Sequence, residues 1–560
     1  MKFIKILITI TVIFFTATLT AQEQNNFEIS KNLELYGNIL RELNLNYADD
    51  IKPGELTKTA IDKMLRGLDP YTVYIPESRI EDFKLMSKGE YGGIGAMIQK
   101  LDDWVVISEP YEGFPAQKAG LKAGDQIIAI DGESAKGKTT KQVSERLKGT
   151  PGTEVKITIR HFEEDNDTVY TIKREKIKIP NVPYSGMVTD DIGYISLLHF
   201  SDNAGNDVKN AFINLKTKHP NLKGIIFDLR SNGGGLLNEA VNIANIWLPK
   251  GQKIVTTKGK RKENTHSYYT KNKATDTKIP LVILVNDGTA SASEIVSGSM
   301  QDLDRGVIIG QRTYGKGLVQ NVLPLPYNSK IKITIAKYYI PSGRCIQKIN
   351  YFDRETGKRP EKVPDSLISE FKTKHGRTVY DGGGIEPDIK MKEQSFNQVT
   401  GDLYAQNYIF KFANDFAKKH KTIPPPGKFT ISDSTFEAFK KFVGNKFDYK
   451  TETEEIIKKL KQSAQREEYA QALDSTIKKL EQEVKEEKKK DLDKNKDEIK
   501  ELLRIEIITR YYYQKGKIEA SLINDEEVKK AIEVINNNTL YNSILDGSYK
   551  PENKEEKKEK

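Results

Sequence analysis

The sequence predicts a multidomain α/β protein, and three observations lead to that class. Apolar residues at helical spacing mark an N-terminal stretch. A glycine-punctuated run of short strands follows, and then a long segment alternates apolar strands with amphipathic helices. The chain closes in a helical region dense in lysine and glutamate. Its 560 residues allow several domains of about 150 residues each. With 37% hydrophobic and 30% charged residues it is neither a membrane bundle nor a fully disordered chain. A single cysteine, Cys345, excludes an intramolecular disulfide framework and a cysteine-rich zinc site. The net charge of +10 is spread over lysines interleaved with glutamates, so no single-signed face for nucleic acid is expected.

The N-terminus addresses the compartment. Lys2 and Lys5 precede an apolar run from Ile6 to Leu19, and Ala21 is followed by polar Gln22, Glu23 and Gln24. This is the grammar of a secretory signal over residues 1–21. The run is shorter than the ~20 residues that comfortably span a bilayer. The expectation is an exported, periplasmic protein, held at the inner membrane if the segment is not cleaved. No cysteine lies near the cleavage point to carry a lipid.

Residues 22–87 read as a small helical subdomain. Leu33, Tyr36, Leu40 and Leu43 recur at helical spacing, a second helix runs from about Thr57 to Leu68, and Asp69-Pro70 stops it.

Residues 88–175 change character. Tyr91-Gly92-Gly93-Ile94-Gly95 leads into strand material, Trp104 to Ile107 is a strand, and Ala119-Gly120-Leu121-Lys122-Ala123-Gly124-Asp125 precedes another, Gln126 to Ile130. A helix over Lys141 to Lys148 and a strand over Val155 to Arg160 complete the pattern. This segment resembles a bacterial-type PDZ domain. The resemblance implies peptide-end recognition: a glycine-rich loop (Gly92, Gly93, Ile94 and Gly95) offers N–H groups to a terminal carboxylate, and a sheet edge accepts the peptide as an added strand. Protein substrates with apolar C-termini are the partners it implies.

Residues 176–392 form the α/β unit. Strands are expected at Ile192 to Leu198, Gly224 to Arg230, Pro280 to Asn286, Gly306 to Gly310 and Leu318 to Leu325. Helices are expected at Ala204 to His219, Leu236 to Trp247 and Ala292 to Leu303. Residues 393–550 read as a charged helical extension, an alternative being a solvated spacer, and residues 551–560 as a disordered charged tail.

The chemistry lies between residues 230 and 345. In Gly288-Thr289-Ala290-Ser291-Ala292-Ser293-Glu294 a strand ends, a turn of small residues follows, and a helix begins. A serine on such a turn is exposed, and the free N–H groups of the helix start favour developing negative charge. The hydroxyl needs a base within hydrogen-bond reach. None of the six histidines sits in a comparable turn and no Gly-x-Ser-x-Gly is present, although spacing alone does not exclude a histidine base. Lys316, between Gly315 and Gly317, is the other candidate; burial and a nearby helix N-terminus would lower its pKa. On a strand starting near Lys316, Gln320 points to the same face and can orient the amine.

These segments, with Asp228-Leu229-Arg230-Ser231-Asn232-Gly233-Gly234-Gly235 upstream and Ala336-Lys337-Tyr338-Tyr339-Ile340-Pro341-Ser342-Gly343-Arg344 downstream, resemble the C-terminal processing (tail-specific) peptidases. The resemblance spans roughly residues 30–390. It implies a serine/lysine dyad of Ser291 and Lys316, with Gln320 positioning the lysine. It favours Ser291 over its neighbour Ser293, for which a helix cap is the plainer role. The oxyanion hole falls on the N–H of Ala292 and of one glycine in 233–235, here assigned to Gly234. Arg230 and Glu294 are expected as a supporting pair. Asp302 matches the family pattern but would lie about 16 Å along the helix from Ser291, so an ion pair, with Arg305 for example, is expected instead. No metal or cofactor is required.

The function expected is an exported serine endopeptidase that takes proteins by apolar C-terminal tails. The alternative is a non-catalytic periplasmic adaptor or holdase, for which the Ser291, Lys316 and Gln320 set would be superfluous. A nucleotide-binding reading of Gly233-Gly234-Gly235 lacks the Gly-Lys-Ser/Thr of a phosphate loop. An adaptor protein, peripheral membrane association and oligomerisation stay open.

Overall fold

The computed structural model describes residues 26–351, 361–444 and 447–550. The expected signal segment (1–21) and charged tail (551–560) lie outside these. The chain divides into two compact units, Met1–Tyr74 with Val322–Ile333, and Ile75–Asn321 with Thr334–Lys560.

In the first unit, helices cover residues 26–46 and Pro53–Arg66. Pro53 opens the second helix, where a missing N–H costs nothing. Leu33, Tyr36 and Leu43 are exposed.

The second unit contains the glycine-rich domain, whose antiparallel sheet runs in the order Ala96–Leu101, Trp104–Pro110, Gln126–Ile130, Glu154–Arg160, Asp167–Lys173, with Glu133–Ser134 beside the third strand. Alternation does the folding here: Val155, Ile157 and Ile159 turn inward with Val105, Ile107 and Ile127. Strand Ala96–Leu101 is an edge, and helix Thr140–Leu147 packs beside it. A capping box between Thr139 and Gln142 starts that helix.

The α/β core is a six-stranded sheet in the order Tyr184–Met187, Ile192–Ser196, Gly224–Asp228, Leu281–Val285, Val307–Gly310, Ile389–Lys390. Only the first pair is antiparallel. Strands Gly224–Asp228 and Leu281–Val285 are buried throughout, as a doubly covered sheet demands. Helices Ala204–Lys218, Leu237–Trp247 and Ala292–Asp302 cover one face.

The other face is covered by the end of the chain. Val528, Ala531, Val534 and Ile535 of helix Glu526–Asn536, with Tyr541 and Ile544 of helix Asn538–Asp546, pack on Ile226, Val282, Leu284 and Ile309. The end of the chain is therefore a layer of the peptidase core. Gly224 admits it, since a Cβ there would lie 2.4 Å from Ile535. In the chain between strand Ile389–Lys390 and these last helices, residues 398–444 and 447–522 carry helices with their own core, including Leu403, Phe412, Phe436, Phe439 and Leu503. They are not a solvated spacer.

Candidate active site

Three adjacent parallel strands, Gly224–Asp228, Leu281–Val285 and Val307–Gly310, end at the same edge of the sheet: the glycine turn leaves from the first, Ser291 from the second, and Lys316 and Gln320 follow the third. That edge is where an open α/β sheet offers a crevice.

The turn after Leu281–Val285 delivers Ser291 as the N-cap of helix Ala292–Asp302. Its backbone sits at φ 58°, ψ −115°, a strained region for any residue but glycine, at a cost of about 1–3 kcal/mol. This is the sharp strand-to-helix geometry of a nucleophile elbow, reached without the Gly-x-Ser-x-Gly signature. The space comes from another loop. Gly234, at φ +92°, approaches so closely that a Cβ would lie 2.7 Å from Ala290 O and Ala292 N. Asn232 zips the two turns together: its carbonyl accepts from Ala290 N at 3.0 Å and from Ser293 Oγ at 2.9 Å. Ser293 is thus buried in the first helical turn and is not the cap.

Glu294 is the residue whose role the sequence did not disclose. Its fully buried carboxylate accepts from Ser291 N at 2.8 Å and Lys316 N at 2.9 Å on Oε2. On Oε1 it accepts from Thr313 Oγ1 at 2.6 Å and Gly315 N at 2.7 Å. Burial pushes its pKa up to about 7, against the pull of these four donors. Tyr338 meets the carbonyl side of the same two residues, its hydroxyl lying 3.1 Å from Ser291 O and 2.5 Å from Lys316 O. The backbones of Ser291 and Lys316 are therefore clamped to common partners, although 25 positions separate them in the chain. Glu294 stood in the sequence as a possible member of a charge pair; the signal for its clamping role was its place three residues after a capping serine.

Gln320 lies on strand Leu318–Leu325 and donates from Nε2 to Thr334 Oγ1 at 3.3 Å. Ala292 N is the first helical N–H, free of an intrahelical partner by position. The Gly234 N–H, by contrast, donates to Asn232 Oδ1 at 2.9 Å, so the assignment of Gly234 as an oxyanion donor does not hold in this geometry. Its contribution is the missing side chain. Among the described residues neither Gly233 N nor Gly235 N has an acceptor.

Two further expectations are corrected. Arg230 does not pair with Glu294; it pairs with Asp228, Asp525 and Glu527. Asp302 does not pair with Arg305; buried Asp302 binds Arg344 Nη2 at 2.8 Å and Ser342 N at 2.9 Å, at the far end of the helix from Ser291. Arg305 instead donates to the carbonyls of Trp247 and Ile279. Among the described residues no histidine hydrogen-bonds Ser291, and no cluster of metal-ligating side chains occurs.

In the glycine-rich domain the expected loop is divided: Gly92 and Gly93 end strand Glu90–Gly93, which pairs with Glu175–Lys178, and only Ile94 and Gly95 form the turn into edge strand Ala96–Leu101. A Cβ on Gly92 would lie 1.9 Å from Gly149 O, and Gly95 sits at φ +73°. Ile94 O and Gly95 O accept from Ala116 N and Tyr111 N. Their own N–H groups meet no backbone carbonyl among the described residues. Free N–H groups beside an unpaired strand edge can receive a chain end.

Comparison with known proteins accords with this anatomy. A model described as peptidase family S41 matches residues 191–352. One described as PDZ domain matches residues 106–161, and one described as probable PDZ-protease, C-terminal helical domain, matches residues 399–535. The carboxy-terminal-processing protease of Bartonella bacilliformis is 36% identical over 402 residues, covering 70% of this chain and 89% of that protein. A probable CtpA-like serine protease of Staphylococcus aureus is 36% identical over 357 residues, covering 62% of this chain and 70% of its own. Among solved structures, a photosystem II D1 C-terminal processing protease is 27% identical, covering 66% of this chain and 90% of that one, with a TM-score of 0.35. A peptide-bound PDZ domain of a Vibrio cholerae carboxy-terminal protease is 33% identical over 16% of this chain and 99% of its own, with a TM-score of 0.16.

Fold, site and matches together define a serine-type peptidase carrying a PDZ domain. Within that class the chain belongs to the carboxy-terminal-processing protease family.

Proposed function

We propose that the protein is an exported endopeptidase that cleaves proteins by a Ser291/Lys316 dyad after its PDZ domain has taken them by an apolar, unstructured C-terminal tail. The observation that carries the dyad is the shared clamp: Ser291 N and Lys316 N both donate to Glu294 Oε2.

In this reading neutral Lys316 accepts the Ser291 proton, and Gln320 orients the amine. The alkoxide attacks the scissile carbonyl carbon, and the Ala292 N–H with a glycine N–H of the 233–235 turn receives the oxyanion. The lysine returns the proton to the leaving amine, and water then releases the acyl-enzyme. The tail would add to edge strand Ala96–Leu101, its carboxylate at Ile94 N and Gly95 N. Ile98 and Val143, partly and fully buried beside that edge, supply the apolar surface. Export is supported by the basic and apolar pattern of residues 1–21, with the periplasm as the compartment. Adaptor delivery, membrane association and self-assembly belong to the same proposal only as partners the enzyme would tolerate.

The test uses the mature chain and Ser291→Ala with an unfolded reporter protein, ending either in an apolar tail or in the same tail capped by charged residues. Cleavage by the wild type alone, fastest with the apolar tail, is expected. Equal cleavage by both enzymes removes Ser291 as nucleophile, and equal cleavage of both tails removes tail selection. Tail binding without cleavage favours the adaptor.

A further inference from the structure

We propose that Asp525 and Glu527, at the start of helix Glu526–Asn536, are positioning residues for the turn Ser231–Gly235 and act on it through Arg230. The inference rests on reading that turn as part of the peptidase site.

Arg230 is the hinge between the buried strand Gly224–Asp228 and the turn. Its own N–H donates to Asp228 Oδ1 at 2.8 Å, and its Nε and Nη2 donate to the same carboxylate. Tyr194 fixes that carboxylate from the neighbouring strand, donating to Oδ2 at 2.6 Å. The outer side of the guanidinium belongs to the far end of the chain. Nη1 donates to Glu527 Oε2 at 2.6 Å, and Nη2 lies 2.7 Å from Asp525 Oδ2. Asp525 is itself fixed, because its Oδ1 caps the helix through Glu527 N and Val528 N. Glu527 Oε1 accepts from Gln311 at the end of strand Val307–Gly310. One short segment thus grips two strand ends at the catalytic edge.

The chemistry of the cluster argues for placement over charge. Three carboxylates surround one guanidinium, so its positive charge is fully answered and cannot stabilise an oxyanion. A guanidinium is rigid, planar and directional, which makes it a positioning device. Beyond it the turn is held by Ser231 N on Asn286 Oδ1 at 2.7 Å, Asn232 Nδ2 on Leu197 O at 2.7 Å, and Gly234 N on Asn232 Oδ1. Removing the outer carboxylates would leave two buried N–H faces unpaired and free Arg230 to swing, carrying residue 231 and the turn away from Ser291.

The experiment pairs Asp525→Asn with Glu527→Gln in the full chain; asparagine keeps the helix cap. Two readouts are used: kcat and KM on an unfolded reporter, and hydrogen exchange of the amides of residues 231–235. Expected are a loss of about tenfold or more in kcat with KM within about twofold, and faster exchange in the turn with unchanged exchange in helix Ala204–Lys218. Glu526→Gln, on the exposed side of the same helix, is expected to change neither. Glu527→Asp is expected to recover part of kcat. If the double variant does not fold, Glu527→Gln alone is measured in the same way. A folded variant with unchanged kcat and unchanged exchange overturns the proposal. If Ser291→Ala cleaves like the wild type, the reading of Ser291 as nucleophile falls, and exchange in the turn still decides whether the C-terminal helix braces it.

Discussion

The hydroxyl of Tyr338 donates to the carbonyl oxygen of Lys316 at 2.5 Å. The same hydroxyl lies 3.1 Å from the carbonyl of Ser291, so one buried tyrosine touches the peptide groups of both dyad candidates. Tyr338→Phe preserves the ring and removes the hydroxyl that makes this link. It is expected to lower kcat about tenfold with little change in KM, and to cost about 1–2 kcal/mol of stability because buried carbonyls lose a donor. Steady-state kinetics and thermal melts check both.

Glu294 is expected to make the enzyme sensitive to pH near neutrality. Its pKa is raised by burial from the usual carboxyl range to about 7. The folded state therefore keeps a proton that the unfolded chain has lost, and stability falls as pH rises from about 4.5 to 7, by a total on the order of 3 kcal/mol. Activity runs the other way, since only the ionised carboxylate can accept from all four donors. The kcat profile is expected to rise with a midpoint near 7. Glu294→Gln replaces an acceptor oxygen by an N–H donor facing other donors, and activity should fall at least a hundredfold. Melts from pH 4 to 8 should lose the slope described.

Gly234→Ala tests the close approach of the two turns. The new Cβ would lie 2.7 Å from Ala290 O and Ala292 N, at a residue with φ +92°. The expected outcome is loss of activity with a destabilisation of about 1–3 kcal/mol. Restoration is not expected from Ser or Thr, which carry the same Cβ.

Gly95→Ala separates tail capture from hydrolysis. Its Cβ would lie 2.5 Å from Phe114 Cβ at φ +73°, shifting the N–H groups that face the strand edge. KM for a reporter ending in an apolar tail should rise by tenfold or so, while a short peptide that needs no tail should be cleaved as before.

Deleting residues 525–550 should yield an insoluble or unfolded chain. It uncovers Ile226, Val282, Leu284 and Ile309 on one face of the central sheet. Exposed apolar patches of that extent drive aggregation. A soluble, active truncated protein would contradict the role of these helices as a core layer.

The sequence by itself determined what is local. Short strands punctuated by glycines marked the PDZ domain, the apolar runs 225–227 and 281–285 marked the buried strands, and a run of small residues before a helix marked Ser291. Gly-Lys-Gly marked a close approach at Lys316 without naming what approaches. The 526–536 helix shows an apolar stripe of Val528, Ala531, Val534 and Ile535, but a stripe states only that something covers it. That the cover is the far face of the catalytic sheet is a choice among distant partners, made by shape and burial in the folded chain. The same holds for the charges. Arg230 had Asp228 two residues away, but its other carboxylates lie nearly three hundred positions on, and Glu294 meets backbone N–H groups in place of the expected arginine. A side chain's type fixes what it can bind; only tertiary structure decides which of many equivalent partners arrives, because that is settled by packing the whole core at once.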